Sequence, residues 1–248
     1  MPLGDFFTEN PRVAVAVSGG VDSAYLLYAA KTTGCETAAY FLKTPFQPQF
    51  ELDDAQKLTG QLGVPLHVVE YNVISIPGVA ENGPLRCYHC KKALFTRLWE
   101  AARTDGFEVL CDGTNASDDG GDRPGMKALA ELGVRSPLRE AGLTKAEIRR
   151  LSKEAGLFTH DKPAYACLAT RIPTGTAITP SLLEKIERVE NALFSLGFTD
   201  FRVRLFGGAA RIQLPEAQFS RALTERQAIL NALSPDYDAV LLDLQPRD

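Results

Sequence analysis

The chain has 248 residues, 45% of them hydrophobic and 23% charged, the balance of a globular protein, which excludes extended disorder. Lysine and arginine together number 27 against 31 aspartates and glutamates, a net charge of −4, so the chain carries no global electrostatic footprint for nucleic acid. No apolar run reaches the roughly 18–20 residues of a membrane helix, and MPLGDFFTENPR lacks the basic-then-apolar order of a secretory signal, so a cytoplasmic protein without membrane contact is expected.

VAVAV at Val13–Val17 reads as a buried strand, followed by a helix from Asp22 to about Lys31. TAAYFL (Thr37–Leu42), a helix near Leu52–Leu62 and the strand PLHVVEY come next. A helix then follows Cys90, and FEVLCDG (Phe107–Gly113) reads as a further strand. Apolar strands alternating with helices imply an α/β fold with a parallel sheet covered on both faces. Thr144 and Glu147 form a capping box that starts a helix running to about Ala155.

After about Arg171 the rhythm changes. Thr179-Pro180 starts a helix in which Leu182, Leu183, Ile186, Val189, Leu193 and Leu196 repeat at helical spacing, and Gly197 ends it. FRVRLF and ARIQL flank Gly207-Gly208 as a hairpin. A helix from about Glu216 to Leu233 and the strand DAVLLDL complete a small α+β unit. The expected domains are therefore 1–170 and 171–248.

Ser18-Gly19-Gly20-Val21-Asp22-Ser23 falls between the first strand and its helix. Two glycines let a phosphate approach the backbone, and the free N–H groups of the helix start face the anion. Ser18 and Ser23 add hydroxyls, and Asp22 is suited either to orient the turn or to help hold Mg2+. Neither a Walker-type P-loop nor a dinucleotide fingerprint occurs. A second loop, Asp112-Gly113-Thr114-Asn115-Ala116-Ser117-Asp118-Asp119, continues through Asp122 and Arg123. It falls at the carboxyl end of a strand, where open α/β sheets bind ligands.

Five cysteines stand at Cys35, Cys87, Cys90, Cys111 and Cys167. Cys35 and Cys111 read as core thiols. Cys87 and Cys90 form a C-x-x-C, and Cys167 follows much later in KPAYACLATR. Three thiolates suit a 4Fe–4S cluster that leaves one iron open, and Arg86, Lys91, Lys92 and Arg171 favour thiolate. Arg202 and Arg204 share one strand face, which reads either as a solvated face or as a clamp for phosphate or carboxylate.

SGGVDS resembles the PP-loop of ATP pyrophosphatases, whose members cleave ATP between the α- and β-phosphates. Together with RCYHCKKALF, DGTNASDDGGDRPG and KPAYACLATRIPTGTAIT, it makes nearly the whole chain similar to the LarE family of ATP-dependent sulfur transferases, which builds the nickel-pincer nucleotide. The resemblance implies an adenine nucleotide alpha hydrolase-like PP-loop domain and a C-terminal domain for substrate binding or oligomerisation. It implies ATP contacts at Ser18, Gly19, Gly20, Val21, Asp22, Ser23, Phe41, Gly113, Thr114 and Asn115. Substrate contacts at Arg123, Arg202 and Arg204 follow, with Cys167, Asp22 and Glu190 catalytic. Cys87, Cys90 and Cys167 match the three-cysteine form that holds a 4Fe–4S cluster; sulfur drawn from Cys167 itself is the alternative. The implied substrate is a pyridinium-3,5-biscarboxylic acid mononucleotide, activated by ATP with Mg2+. A homo-oligomer working beside other nickel-pincer cofactor biosynthesis proteins is expected. Gln213 stands where the family pattern suggests an acid. A PP-loop tRNA thiolase, a non-catalytic nucleotide sensor and a carboxylate-to-amide ligase are the competing readings, and the acidic net charge weighs against the first.

Overall fold

The computed structural model of the protein describes residues 2–118 and 124–247. The chain divides into two compact units: one runs to Val79 and resumes at Leu85–Lys162, and the other comprises Ala80–Pro84 and the chain from Pro163 onward. The division falls between Lys162 and Pro163 instead of near Arg171. Its physical reason lies in the 163–171 segment, whose Leu168, Ala169 and Arg171 are buried and whose hydrogen bonds run to the second unit. Asn82 belongs there too, donating to the carbonyls of Ile172 and Pro173.

In the first unit, β1 (Arg12–Val17), β2 (Glu36–Lys43), β3 (Leu66–Glu70) and β4 (Leu110–Cys111) form a parallel sheet in the order β3-β2-β1-β4. Its helices are α1 (Leu3–Glu9), α2 (Val21–Thr32), α3 (Gln49–Leu62), α4 (Arg86–Thr104), α5 (Pro124–Glu131), α6 (Pro137–Glu140) and α7 (Lys145–Glu154). The strand alternation sends Val13, Val15 and Val17 into one core with Leu26, Leu58 and Ile148. Ala14 enters the opposite core with Tyr40, Leu98 and Trp99. Both faces are thus covered, as the apolar strands predict. Both hydrogen bonds of the Thr144–Glu147 capping box are present.

The second unit carries α8 (Pro180–Ser195), β5 (Arg202–Phe206), β6 (Ala209–Gln213), α9 (Phe219–Thr224), α10 (Arg226–Leu233) and β7 (Val240–Leu242). β5 and β6 pair antiparallel as the expected hairpin, and β7 adds parallel to β6. Val189, Leu193, Val203, Ile212 and Leu233 fill its core.

Four local expectations change. α4 begins at Arg86, so both cysteines of the C-x-x-C lie inside the helix. β4 is confined to Leu110–Cys111, because the chain is still leaving α4 at Gly106, which has φ +80°, and Phe107 N–H donates back to Ala102. The 216–233 helix is divided into a short 3-10 turn, α9 and α10; the Gln218 side chain pins that turn to the Thr199 backbone. The helices α1, α5 and α6 were not expected.

Candidate active site

The carboxyl end of β1 runs into the Ser18–Gly20 turn, and α2 opens at Val21. Gly19 has φ +70°, and a Cβ there would lie 2.7 Å from the Glu51 carbonyl oxygen. The position therefore takes glycine on two counts, backbone conformation and space. Ser23 Oγ accepts from Ser18 N–H at 3.2 Å and stands 3.3 Å from Ser18 Oγ, which closes the turn on itself. Gly19→Ala should lose about 1–2 kcal/mol of stability from the left-handed conformation alone. ATP affinity should also fall because the turn must shift away from Glu51; calorimetric titration with ATP and a thermal melt measure the two effects.

The loop after β4 meets this turn. A Cβ on Gly113 would come within 2.8 Å of Ser23 N, so glycine permits the contact between loop and helix start. Asn115 Nδ2 donates to Asp22 Oδ1 at 3.3 Å. Asp112 accepts from Thr114 Oγ1 and from Ser136 Oγ, and both Thr114 and Asn115 are buried. Ser18, Gly19, Gly20, Val21, Asp22, Ser23, Gly113, Thr114 and Asn115 are thus brought together. Phe41 pairs in register with Val17, one residue before the turn; its ring is 1% exposed in the main core, so it is the main chain of Phe41, and not its ring, that borders the turn. Arg123 lies outside the described residues.

Two lysines complete this arrangement. Lys145, the first residue of α7, pairs with Asp22, and Lys162 pairs with Asp54 and donates to the Gly19 carbonyl at 2.9 Å. Lys162 opens the KPAYACLATR run, but motif reading linked neither lysine to the turn. The capping box at Thr144 was the one signal near Lys145, and it marked a helix start without marking a neighbour of the turn.

In the second unit, Cys167 is partly exposed in a loop gripped by side chains of the same unit. Arg171 and Glu190 form an ion pair through two hydrogen bonds, Nε to Oε1 at 2.9 Å and Nη2 to Oε2 at 3.0 Å, with side chains 0% and 1% exposed. Burial opposes the Arg171 charge, yet its hydrogen bonds to Glu190 carry the Arg171 pKa upward. Glu190 also accepts from Val203 N–H at 2.9 Å and from the Tyr165 hydroxyl. This carboxylate is committed to holding its surroundings. Arg202 and Arg204 share one face of β5, as the spacing predicts; Arg202 donates to the Ala164 carbonyl and Arg204 to that of Thr170. Burial, with Arg171 and Arg247 nearby, pushes the Arg202 pKa down to about 10. Burial lowers that of Arg204 as well.

Cys87 is exposed and Cys90 buried, one turn apart at the start of α4, so they share a helix face. Both lie in the first unit and Cys167 in the second. Among the described residues no group of three or more His, Cys, Asp or Glu side chains is set to hold a metal ion. Cys35 and Cys111 are core thiols, and burial raises the pKa of each. Among the described residues no helix is long and apolar enough to cross a membrane.

Comparison with known proteins adds four findings. The family described as tRNA methyl transferase HUP domain matches residues 11–116. The pyridinium-3,5-bisthiocarboxylic acid mononucleotide synthase of Lactiplantibacillus plantarum is 34% identical over 94% of this chain and 86% of its own length. An uncharacterized protein of Synechocystis sp. is 37% identical over 88% of this chain and 82% of its own. By contrast, the tRNA-specific 2-thiouridylase of Hahella chejuensis is 28% identical over 62% of this chain and 52% of its own length.

Proposed function

This chain belongs to the LarE family of pyridinium-3,5-bisthiocarboxylic acid mononucleotide synthases, and from that premise we propose how its residues divide the work of an ATP-dependent sulfur transferase. The observation that carries the reading is the extent of the synthase match, which covers 94% of the chain and so includes the Cys167 loop as well as the PP-loop.

A carboxylate oxygen of pyridinium-3,5-biscarboxylic acid mononucleotide attacks the α-phosphorus of ATP, and pyrophosphate leaves. The resulting acyl-adenylate is a better electrophile than the carboxylate. A sulfur nucleophile then attacks the acyl carbon, AMP departs, and cleavage of the bond behind the sulfur leaves a thiocarboxylate. A second round converts the other carboxylate. The Ser18–Ser23 turn holds the phosphates through backbone N–H groups and the Ser18 and Ser23 hydroxyls. Asp22, which pairs with Lys145, would hold Mg2+ once released from that lysine, and Gly113, Thr114 and Asn115 border the nucleotide. The Arg202 and Arg204 charges draw the substrate's acidic groups toward Cys167.

Cys87, Cys90 and Cys167 would hold the 4Fe–4S cluster; the shared helix face of the first two and the flanking Arg86, Lys91 and Lys92 support that assignment. Bound there, a cluster would supply an exchangeable sulfur on its open iron. The protein works in the cytoplasm beside the other enzymes of nickel-pincer nucleotide synthesis. Exposed Phe206, Leu241 and Leu244 in the second unit offer an apolar surface for a homo-oligomer.

Substrate-dependent release of pyrophosphate tests the reading. ATP should be cleaved when the biscarboxylate mononucleotide is supplied and should persist when tRNA replaces it. Cleavage stimulated by tRNA would favour a thiolase instead.

A further inference from the structure

The loop that carries Cys167 is held by its main-chain carbonyls. Arg202 takes the carbonyl of Ala164. Arg171 Nη1 takes that of Ala166 at 2.7 Å, that of Cys167 at 3.4 Å, and the Thr170 hydroxyl at 2.9 Å. Arg204 Nη1 takes that of Thr170 at 2.6 Å. Thr170 Oγ1 in turn donates to the Cys167 carbonyl at 2.8 Å. Backbone on both sides of the thiol is therefore fixed by guanidinium groups.

Each guanidinium is itself oriented from behind. Glu190 grips Arg171 with both oxygens. Arg202 donates to the Phe201 carbonyl at 2.6 Å and faces Asp200 at 4.0 Å. Arg204 Nε donates to Gln213 Oε1 at 2.6 Å, while Gln213 Nε2 donates to Asp243 at 2.9 Å. An acid at position 213 could accept from Arg204, but it would have no proton to give Asp243 and would repel it. The amide there is thus matched to this frame. The Tyr165 ring lies 4.4 Å from the Arg171 guanidinium and 5.1 Å from that of Arg202, and its hydroxyl closes on Glu190.

We propose that Arg171, with Glu190 behind it, is a positioning residue for sulfur transfer, and that this pair and the two β5 arginines hold Cys167 in a preformed loop to which the substrate must come. The inference rests on Cys167 being the sulfur-carrying residue. A buried ion pair is weak evidence for stability, because hydrophobic packing often does as well; its use here is the placement of one thiol. Lysine keeps the charge at position 171, but a point ammonium cannot grip a carboxylate bidentately and also hold a carbonyl.

The test uses the full-length, anaerobically prepared protein. In Arg171→Lys the kcat for thiocarboxylate formation should fall about 10- to 100-fold, the scale of a misplaced reacting group. The KM for ATP should stay within about twofold, since uniform nucleotide binding is not what is lost. Thr170→Val, at a partly exposed position that carries less folding risk, removes two links of the same frame and should show the same split more weakly. Amide hydrogen exchange over 164–171 should quicken in both. An unchanged kcat in the folded variants overturns the inference, whether or not exchange quickens. A Cys167→Ala protein that still forms thiocarboxylate defeats the underlying functional reading instead.

Discussion

Replacing Cys167 with alanine should lower thiocarboxylate formation by about 1,000-fold or more, the scale seen when a group that bonds to the reacting atom is removed. Exchange of labelled pyrophosphate into ATP in the presence of substrate should survive, because the Ser18–Ser23 turn and its partners lie in the first unit and Cys167 in the second. The loss is expected whether the thiol gives its own sulfur or holds a cluster. The parent protein separates those two cases. If Cys167 donates, its intact mass falls by about 34 Da after one turnover, as a cysteine that has lost hydrogen sulfide. With a cluster the mass is unchanged, and iron and acid-labile sulfide near four per chain disappear in Cys87→Ala.

Glu190→Ala should show the largest effect on stability. The carboxylate is 1% exposed and accepts from Arg171, Val203 and Tyr165. Removing it strands the Arg171 guanidinium, itself 0% exposed, without its counter-charge. Breaking one partner of such a pair costs about 3–5 kcal/mol, which corresponds to a fall in Tm of roughly 6–20 °C. Glu190→Gln, which keeps the shape and one acceptor, should lose less. A Tm for Glu190→Ala matching that of the parent would show that the pair is not needed to hold the second unit together.

Local chemistry made much of this legible in advance. Ser18–Ser23 could be read because a strand, two glycines and a helix start are adjacent in sequence, and the structure keeps them so. The capping box at Thr144, the hairpin at Gly207-Gly208 and the shared face of Arg202 and Arg204 depend on equally short spacings. The misses have longer range. Lys162 meets the Gly19 carbonyl across 143 positions, and Lys145 meets Asp22 across 123; no local pattern links them. Glu190 reads from the family resemblance as catalytic, and its three partners, Arg171, Tyr165 and the Val203 N–H, are tertiary contacts that the sequence pattern did not give. Arg171, named only as a basic neighbour of Cys167, proves to be the centre of the loop's support. The division of the 216–233 helix depends on Gln218 reaching Thr199, a tertiary contact. The early division at Lys162 has a similar cause, since the 163–171 loop has no helical or strand periodicity and its place is set by Arg202 and Arg204 from β5 and by Arg171 paired with Glu190.

The most direct test of sulfur transfer is to incubate the anaerobically purified protein with ATP and pyridinium-3,5-biscarboxylic acid mononucleotide and identify the nucleotide product by mass spectrometry. Thiocarboxylate in place of carboxylate, formed with AMP and pyrophosphate, is the predicted result. AMP and pyrophosphate with the carboxylates left unthiolated, or sulfur delivered to tRNA instead, would contradict it.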